Sequence, residues 1–224
     1  MTTGHGTDSP LSQERLEAEE RRRKAVAENL KAAEPVVQEL RGAGFPIEHV
    51  ADLFNRRFDY REAIGILLKW LPLVDNKAVK ADIVHALSVR WAKPKAARPL
   101  VDEFRRAESG YSSFKWAIGN GLSVVADDSV FDDLVAIARD RTHGTTRQMV
   151  ALALGNMRDP RAVDVLIELL DDDDVAGHAV MALGKLKAAR ARASVEQFLG
   201  HPRTWVRAEA RRALAKIDKA AQRH

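Results

Sequence analysis

The chain of 224 residues carries 36 Lys and Arg against 32 Asp and Glu, with 46% hydrophobic residues and no cysteine. The missing cysteine excludes disulfides, thiol nucleophiles and thiolate metal sites, and it fits a reducing compartment. No apolar segment typical of a secretory signal follows Met1, and no run approaches the roughly eighteen uncharged apolar residues of a membrane span. We therefore expect a cytoplasmic location.

The basic excess is confined to the C-terminal end of the chain. Residues 201–224 hold seven basic and two acidic side chains, a net charge of +5, so the remaining residues sum to −1. A solvated cap explains this charge, because basic side chains suit the negative end of the helix dipole. The alternative is contact with phosphates or an acidic partner. Four arginines are the candidate polyanion contacts: Arg203, Arg207, Arg211 and Arg212.

The N-terminal part divides into a tail and a charged helix. Residues 1–10 are polar and contain glycine and proline, which predicts a disordered tail. Residues 11–45 have mixed charges and a thin apolar stripe, which is typical of an exposed helical segment. Pro35 is expected to break or kink this helix and to leave a short second helix over 36–41. Packing on the rest of the chain and pairing with a second copy both stay open.

A small-residue-rich apolar block then recurs about every thirty residues. Each block contains an apolar anchor preceded by alanine, and successive anchors lie 31, 36, 29 and 31 residues apart. This period is typical of stacked helix pairs, each pair having a first and a second helix. The first-helix anchors are Leu87, Ile118, Leu154, Leu183 and Leu214. The second-helix anchors are Leu67, Leu100, Leu134, Leu166 and Val195. We predict about five helix pairs and a final helix over 46–217, then a basic tail over 218–224.

Glycine follows the first-helix anchor in three of these blocks, at Gly119, Gly155 and Gly184. Glycine inside a helix costs on the order of 1 kcal/mol relative to alanine. Its return at one register therefore predicts a close approach of neighbouring first helices at these positions.

Three runs carry a family resemblance: Ala-Leu-Gly-Asn-Met-Arg-Asp-Pro-Arg-Ala-Val from residue 153, Ala-Leu-Gly-Lys-Leu over 182–186, and Trp-Val-Arg-Ala-Glu-Ala over 205–210. They resemble HEAT-like repeats, in the short form found in phycobilisome bilin lyases and in many bacterial scaffold proteins. The resemblance covers residues 46–217. It implies an all-α, right-handed α-α superhelix of the armadillo-like kind. We expect the charged segment over 11–45 to form a helical cap on it. It implies little about function, because the matching residues belong to the core and the turns.

The clustered acidic residues are interpreted as structural. The run from Asp171 to Asp174 predicts a turn in which Asp174 caps a helix from Val175, and it lacks the spacing of a calcium loop. Acidic side chains around a predicted helix start complement the helix dipole; they are Asp127, Asp128, Asp132 and Asp133. The seven histidines show no metal-ligand spacing, and no nucleophile elbow or phosphate loop occurs. We predict no catalytic residue, no metal and no cofactor.

A regular repeat without a catalytic set predicts a non-enzymatic scaffold or adaptor that binds a protein partner. In such solenoids the second helices usually line the concave face, and here their charges mix signs, which suits a protein better than a polyanion. The candidate partner-binding residues are Arg61, Lys69, Arg98, Asp102, Arg105, Asp132, Asp133, Arg161, Asp164 and Glu168. One alternative is a nucleic-acid-binding solenoid that uses the C-terminal arginines. Another is a bilin-lyase-like accessory protein, which rests on the resemblance alone.

Overall fold

The computed structural model describes residues 10–56, 59–108 and 112–222, and this part of the chain is helical without strands. Of the predicted disordered tail over 1–10, all but Pro10 lies outside the described residues. The helices are α1 Pro10–Gly42, α2 Asp52–Asn55, α3 Ile64–Trp70, α4 Lys77–Leu87, α5 Ala97–Arg106, α6 Ser112–Val125, α7 Phe131–Arg139, α8 Gln148–Leu154, α9 Arg161–Glu168, α10 Ala176–Leu186, α11 Arg192–Glu196 and α12 Thr204–Ala221. None of them is both long and apolar enough to cross a membrane.

The fold is an all-α solenoid in which two layers of helices enclose one continuous core. The first helices α4, α6, α8, α10 and α12 stack directly on one another. The second helices α3, α5, α7, α9 and α11 form the other layer. All ten predicted anchors are buried, so the periodicity in the sequence predicted the core correctly. Short 3-10 turns precede or follow several second helices, which makes those helices shorter than predicted.

The glycines after the anchors lie where neighbouring first helices come closest. A Cβ atom added to Gly184 would lie 2.6 Å from Cα of Ala213 in the next first helix. A Cβ atom on Gly155 would lie 2.7 Å from Cβ of Ala182. These distances are shorter than ordinary carbon–carbon contacts, so side chains at both positions would push the helices apart. The predicted close approach is confirmed.

The expected break at Pro35 is wrong. Helix α1 runs without interruption from Pro10 to Gly42. Proline removes one intrahelical hydrogen bond, but the ring of Pro35 is exposed and the next turn is fixed by packing. Val36, Val37 and Leu40 are at most 1% exposed, and α1 contacts α3 and α4. Burial of this turn holds the helix together across the proline.

Two further helix ends differ from the prediction. Helix α10 begins at Ala176, and Asp174 does not cap it. Helix α12 continues to Ala221 and therefore includes the first residues of the predicted basic tail.

Candidate protein-interaction surface

Charged side chains on the second helices form ion pairs from one repeat to the next. Asp133 on α7 receives two arginines of α5: Arg98 at 2.6 Å and Arg105 at 2.7 Å. The arginine side chains remain about half exposed, whereas Asp133 is 19% exposed. One carboxylate thus fixes two guanidinium groups of the preceding repeat.

The same arrangement recurs further along the solenoid. Arg161, at the start of α9, reaches back to Asp132 at 3.1 Å, and Arg190 reaches back to Asp164 at 3.0 Å. In the opposite direction, Arg139 at the end of α7 binds Glu168 through Nε and Nη2. The hydrogen bonds to Glu168 raise the pKa of Arg139 above its ordinary value. We call these inter-repeat ion pairs, from Arg98 to Arg190, the charge ladder.

The remaining predicted residues at the N-terminal end are also engaged. Nζ of Lys69 and Nε1 of Trp70 both donate to Glu39 of α1, at 2.7 and 2.8 Å. These hydrogen bonds lower the pKa of Glu39, and the bond from Lys69 has the larger effect. Arg61 pairs with Asp59 and places its guanidinium 5.4 Å from the ring centre of Trp91.

Asp102 differs from the other nine predicted partner-binding residues. Within the described residues its carboxylate takes part in no ion pair, while its backbone carbonyl accepts from Nε of Arg106 at 3.3 Å. Nine of the ten predicted charges are therefore engaged in ion pairs, five of them with one another and four with residues outside the predicted set.

The four C-terminal arginines do not converge on one site. The guanidinium of Arg207 donates to the carbonyls of His201 and Pro202, at 2.7 and 2.8 Å, and to Oγ1 of Thr204. Arg212 forms an ion pair with Glu209. Arg203 and Arg211 are exposed. Two of the four guanidinium groups are thus already occupied.

Arg147 is buried, which the sequence interpretation missed. Its guanidinium donates to Oδ2 of Asp172 at 2.8 Å and to the carbonyls of Ala138 and Gly144, each at 3.0 Å. Oδ1 of Asp172 accepts from the backbone N–H of Asp174 at 3.1 Å, so Asp172 organises the acidic turn. Burial acts to raise the pKa of Asp172, but the hydrogen bond from Arg147 leaves it below its ordinary value.

The other acidic cluster also serves the turns and the contacts between repeats. Asp127 accepts from the backbone N–H and the hydroxyl of Ser129, at 3.0 and 2.6 Å. Asp128 accepts from the backbone N–H of Arg158 in the next repeat at 2.9 Å. Across the described ranges, no group of three or more His, Cys, Asp or Glu side chains is arranged to hold a metal ion.

A second surface, on the layer of first helices, was not predicted. It consists of the residues two positions before each anchor: His85, Trp116, Leu152, Met181 and Arg212. Trp116 is 47% exposed, and Leu152 and Met181 are partly exposed. Tryptophan and methionine are enriched at protein interfaces. The sequence did contain a signal for this row, because its members all lie two positions before a first-helix anchor. The four tryptophans, in contrast, do not occupy one common position in the repeats.

Trp205 lies beside this row. Its indole ring is 5.4 Å from the ring of His178, and a Cβ atom on Gly177 would lie 2.2 Å from Cη2 of Trp205. Gly177 therefore makes room for an indole that is still 41% exposed. Both surfaces of the solenoid thus carry side chains suited to contacts with proteins.

One comparison with known proteins gives a match. Residues 105–177, about a third of the chain, match the family model of HEAT repeats. No curated protein and no solved structure matches the chain. The matched region extends from the end of α5 to the start of α10 and includes the central part of the charge ladder.

Proposed function

We propose that this chain, a HEAT-like repeat protein, is a non-enzymatic scaffold that binds a protein partner across the face of its second helices. HEAT repeats are commonly protein-interaction scaffolds. The observation that carries the proposal is the charge ladder. It holds guanidinium and carboxylate groups at fixed positions while side chains such as Arg98, Arg161 and Asp164 stay 50 to 66% exposed.

The physical advantage of the ladder is preorganisation. Ordering a long charged side chain at an interface costs about 0.5–1.5 kcal/mol, and a side chain already held by its neighbour has lost much of that freedom. A guanidinium has five N–H donors, so a single carboxylate leaves several of them available. Alternating signs also select against wrong partners, because like charges brought together are unfavourable.

The charge distribution favours a protein over a nucleic acid as the partner. A polyanion needs adjacent basic groups, whereas the ladder interleaves Arg98 and Arg161 with carboxylates such as Asp132. The basic side chains of α12 are the other candidate surface, and there too a basic side chain, that of Arg212, is paired with a carboxylate, that of Glu209.

Affinity capture with matched variants tests the proposal. Asp132→Lys combined with Asp164→Lys reverses two exposed carboxylates of the ladder. The control, Glu28→Lys with Asp173→Lys, makes the same charge change at exposed positions outside the second helices. Removing exposed ion pairs costs about 1 kcal/mol or less each, so circular dichroism should show both variants folded. We expect the ladder variant to lose partners that the wild type and the control retain.

Two outcomes would overturn this assignment. One is an identical set of captured partners for all three proteins. The other is tight binding of labelled duplex DNA or single-stranded RNA that weakens steeply with salt and depends on Arg203 and Arg211. That result would replace the protein partner by a nucleic acid.

A further inference from the structure

The N-terminal half of α1 is uncovered in the described chain. Every side chain over 13–28 is exposed, whereas Val36, Val37 and Leu40 of the same helix are buried against the solenoid. A helix of 33 residues is about 50 Å long at 1.5 Å per residue. About half of α1 therefore extends beyond the helices on which its C-terminal end packs.

One side of this helix carries a heptad seam. Residues at alternating steps of three and four are Leu16, Glu19, Arg23, Val26, Leu30, Ala33, Val37 and Leu40. Such spacing places them along one side of the helix, as in a coiled coil. The last three members are buried on the solenoid, while Leu16, Val26 and Leu30 are 62, 50 and 43% exposed. The seam thus continues a packed surface into solvent.

We propose that this seam joins two copies of the chain as an antiparallel dimer. A two-fold axis at the level of residue 21 places Leu16 opposite the partner's Val26, and Glu19 opposite the partner's Arg23. In a two-fold interface each such contact occurs twice. Leu16 and Val26 of the two copies therefore form two apolar contacts, and Glu19 and Arg23 form two contacts between opposite charges. Arg23 already pairs with Glu19 at 2.7 Å in one chain, and the dimer would extend this pair into a ring of four alternating charges.

The same residues select against a parallel dimer. In parallel register Glu19 would face the partner's Glu19, and Arg23 the partner's Arg23, so both polar layers would be repulsive.

Two residues beside the seam limit the affinity of the antiparallel dimer. Glu20 and Arg22 flank the two-fold axis, and each approaches its own copy, which carries the same charge. We therefore expect a reversible dimer in the micromolar range.

The solenoid leaves space for the end of the partner helix. In this register the first turn of the partner's α1 reaches the level of Leu30. At that point a groove of about 130 Å³ lies between α1 and α4, lined by Leu30, Ala33, Val79 and Asp82 among others. The seam therefore meets an open groove where the partner helix would end.

Sedimentation equilibrium of the full chain, from one to several hundred micromolar, is the first test. We expect a monomer–dimer equilibrium. Glu19→Arg places four like charges at the centre of the seam and should weaken the dimer at least about tenfold. Glu17→Arg introduces the same charge on the same exposed helix outside the seam, and it should leave the equilibrium unchanged. All these side chains are exposed, so the substitutions should leave the folding of the chain unchanged.

The exchange of both charges, Glu19→Arg with Arg23→Glu, tests whether the loss of affinity comes from the charged layers. It restores the opposite charges across the antiparallel seam and should recover wild-type affinity, and the orientation of the two helices is then measured by a distance. A spin label on Glu28→Cys, in a chain without other cysteines, gives the distance. The two labels should be offset by about 20 Å along the axis in the antiparallel pair.

A chain that stays monomeric throughout would overturn the proposal. So would a dimer indifferent to Glu19→Arg, or one that the double exchange fails to rescue. A monomer whose binding to a different protein depends on Leu16 and Val26 would assign the seam to that protein instead. None of these results bears on the charge ladder, which lies on other helices.

Discussion

Arg147 and Asp172 form a buried ion pair that joins successive repeats. Nη1 of Arg147 lies 2.8 Å from Oδ2 of Asp172, and the two side chains are 1% and 10% exposed. The same guanidinium donates to the carbonyl of Ala138 at the end of α7. One side chain therefore fixes the relative position of α7, α8 and the turn before α10.

Arg147→Ala should destabilise the protein by up to about 3 kcal/mol, because it removes the buried counter-ion of Asp172 and leaves only the exposed Arg141, 3.4 Å away. Arg139→Ala is the matched control, since it removes an ion pair of similar sequence separation that is half exposed. That change should cost about 1 kcal/mol or less. Urea unfolding followed by circular dichroism measures both free energies. Equal costs would show that burial adds nothing to the Arg147 pair.

Gly184→Ala should destabilise by about 1–3 kcal/mol, because its Cβ would lie 2.6 Å from Cα of Ala213 and would force α10 and α12 apart. Gly65→Ala provides the contrast. Gly65 lies on the exposed side of α3, with nothing within 4 Å of an added Cβ, so alanine should stabilise by up to about 1 kcal/mol. Thermal unfolding of the two variants should therefore give shifts of opposite sign.

The sequence predicted the core and the closest helix contacts because both depend on the register within a repeat. The apolar anchor and the glycine after it, such as Leu183 and Gly184, recur at fixed positions in the repeats. A given position in one repeat therefore packs against the equivalent part of the next repeat. The break at Pro35 was predicted wrongly for a related reason. Local propensity favours a break, but burial of Val37 and Leu40 on another element outweighs it, and that packing is not visible in the local sequence.

The position of Arg147 could have been found by the same register. Lys80, Arg147 and Arg207 each lie seven positions before a first-helix anchor, and Arg147 is buried while the other two are partly buried. Lys80 binds the buried Glu103 at 3.2 Å, as Arg147 binds Asp172. The pairing in the charge ladder could not be predicted in this way, because it depends on distances between consecutive second helices. The mixed signs were evident from the sequence, but the partner of each charge was not.

Pro35→Ala should stabilise α1. Proline in a helix interior costs about 3 kcal/mol relative to alanine, and the exposed ring of Pro35 contributes nothing to the core that would offset the gain. We expect an increase of about 1–3 kcal/mol in the free energy of unfolding, with greater protection of the amides over 29–37 in hydrogen exchange. Glu34→Ala, at the neighbouring exposed position, should change both quantities little. A loss of stability would mean that the proline sets an angle that the packing of α1 requires.

Stability should fall as the pH drops below about 6.5, because His143 must gain a proton in a site that disfavours it. Nδ1 of His143 lies 3.3 Å from Nζ of the buried Lys115, and its ring packs edge-on against Phe104. Burial, and then the charge of Lys115, lower the pKa of His143 from 6.5; Arg147 acts in the same direction, while Asp140 opposes them.

The unfolded chain therefore binds this proton at a higher pH than the folded chain does. The contribution of His143 is complete well above pH 6.5 and is lost as the pH falls below about 6.5 towards the lowered pKa of the folded chain. His143→Gln, which keeps a hydrogen-bond acceptor for Lys115, should flatten this part of the curve. Urea unfolding at half-unit steps from pH 5 to 8 measures the slopes. His178, whose pKa burial also lowers, should account for part of the remaining slope. An unchanged slope in His143→Gln would show that the imidazole takes up its proton as readily in the folded chain as in the unfolded chain.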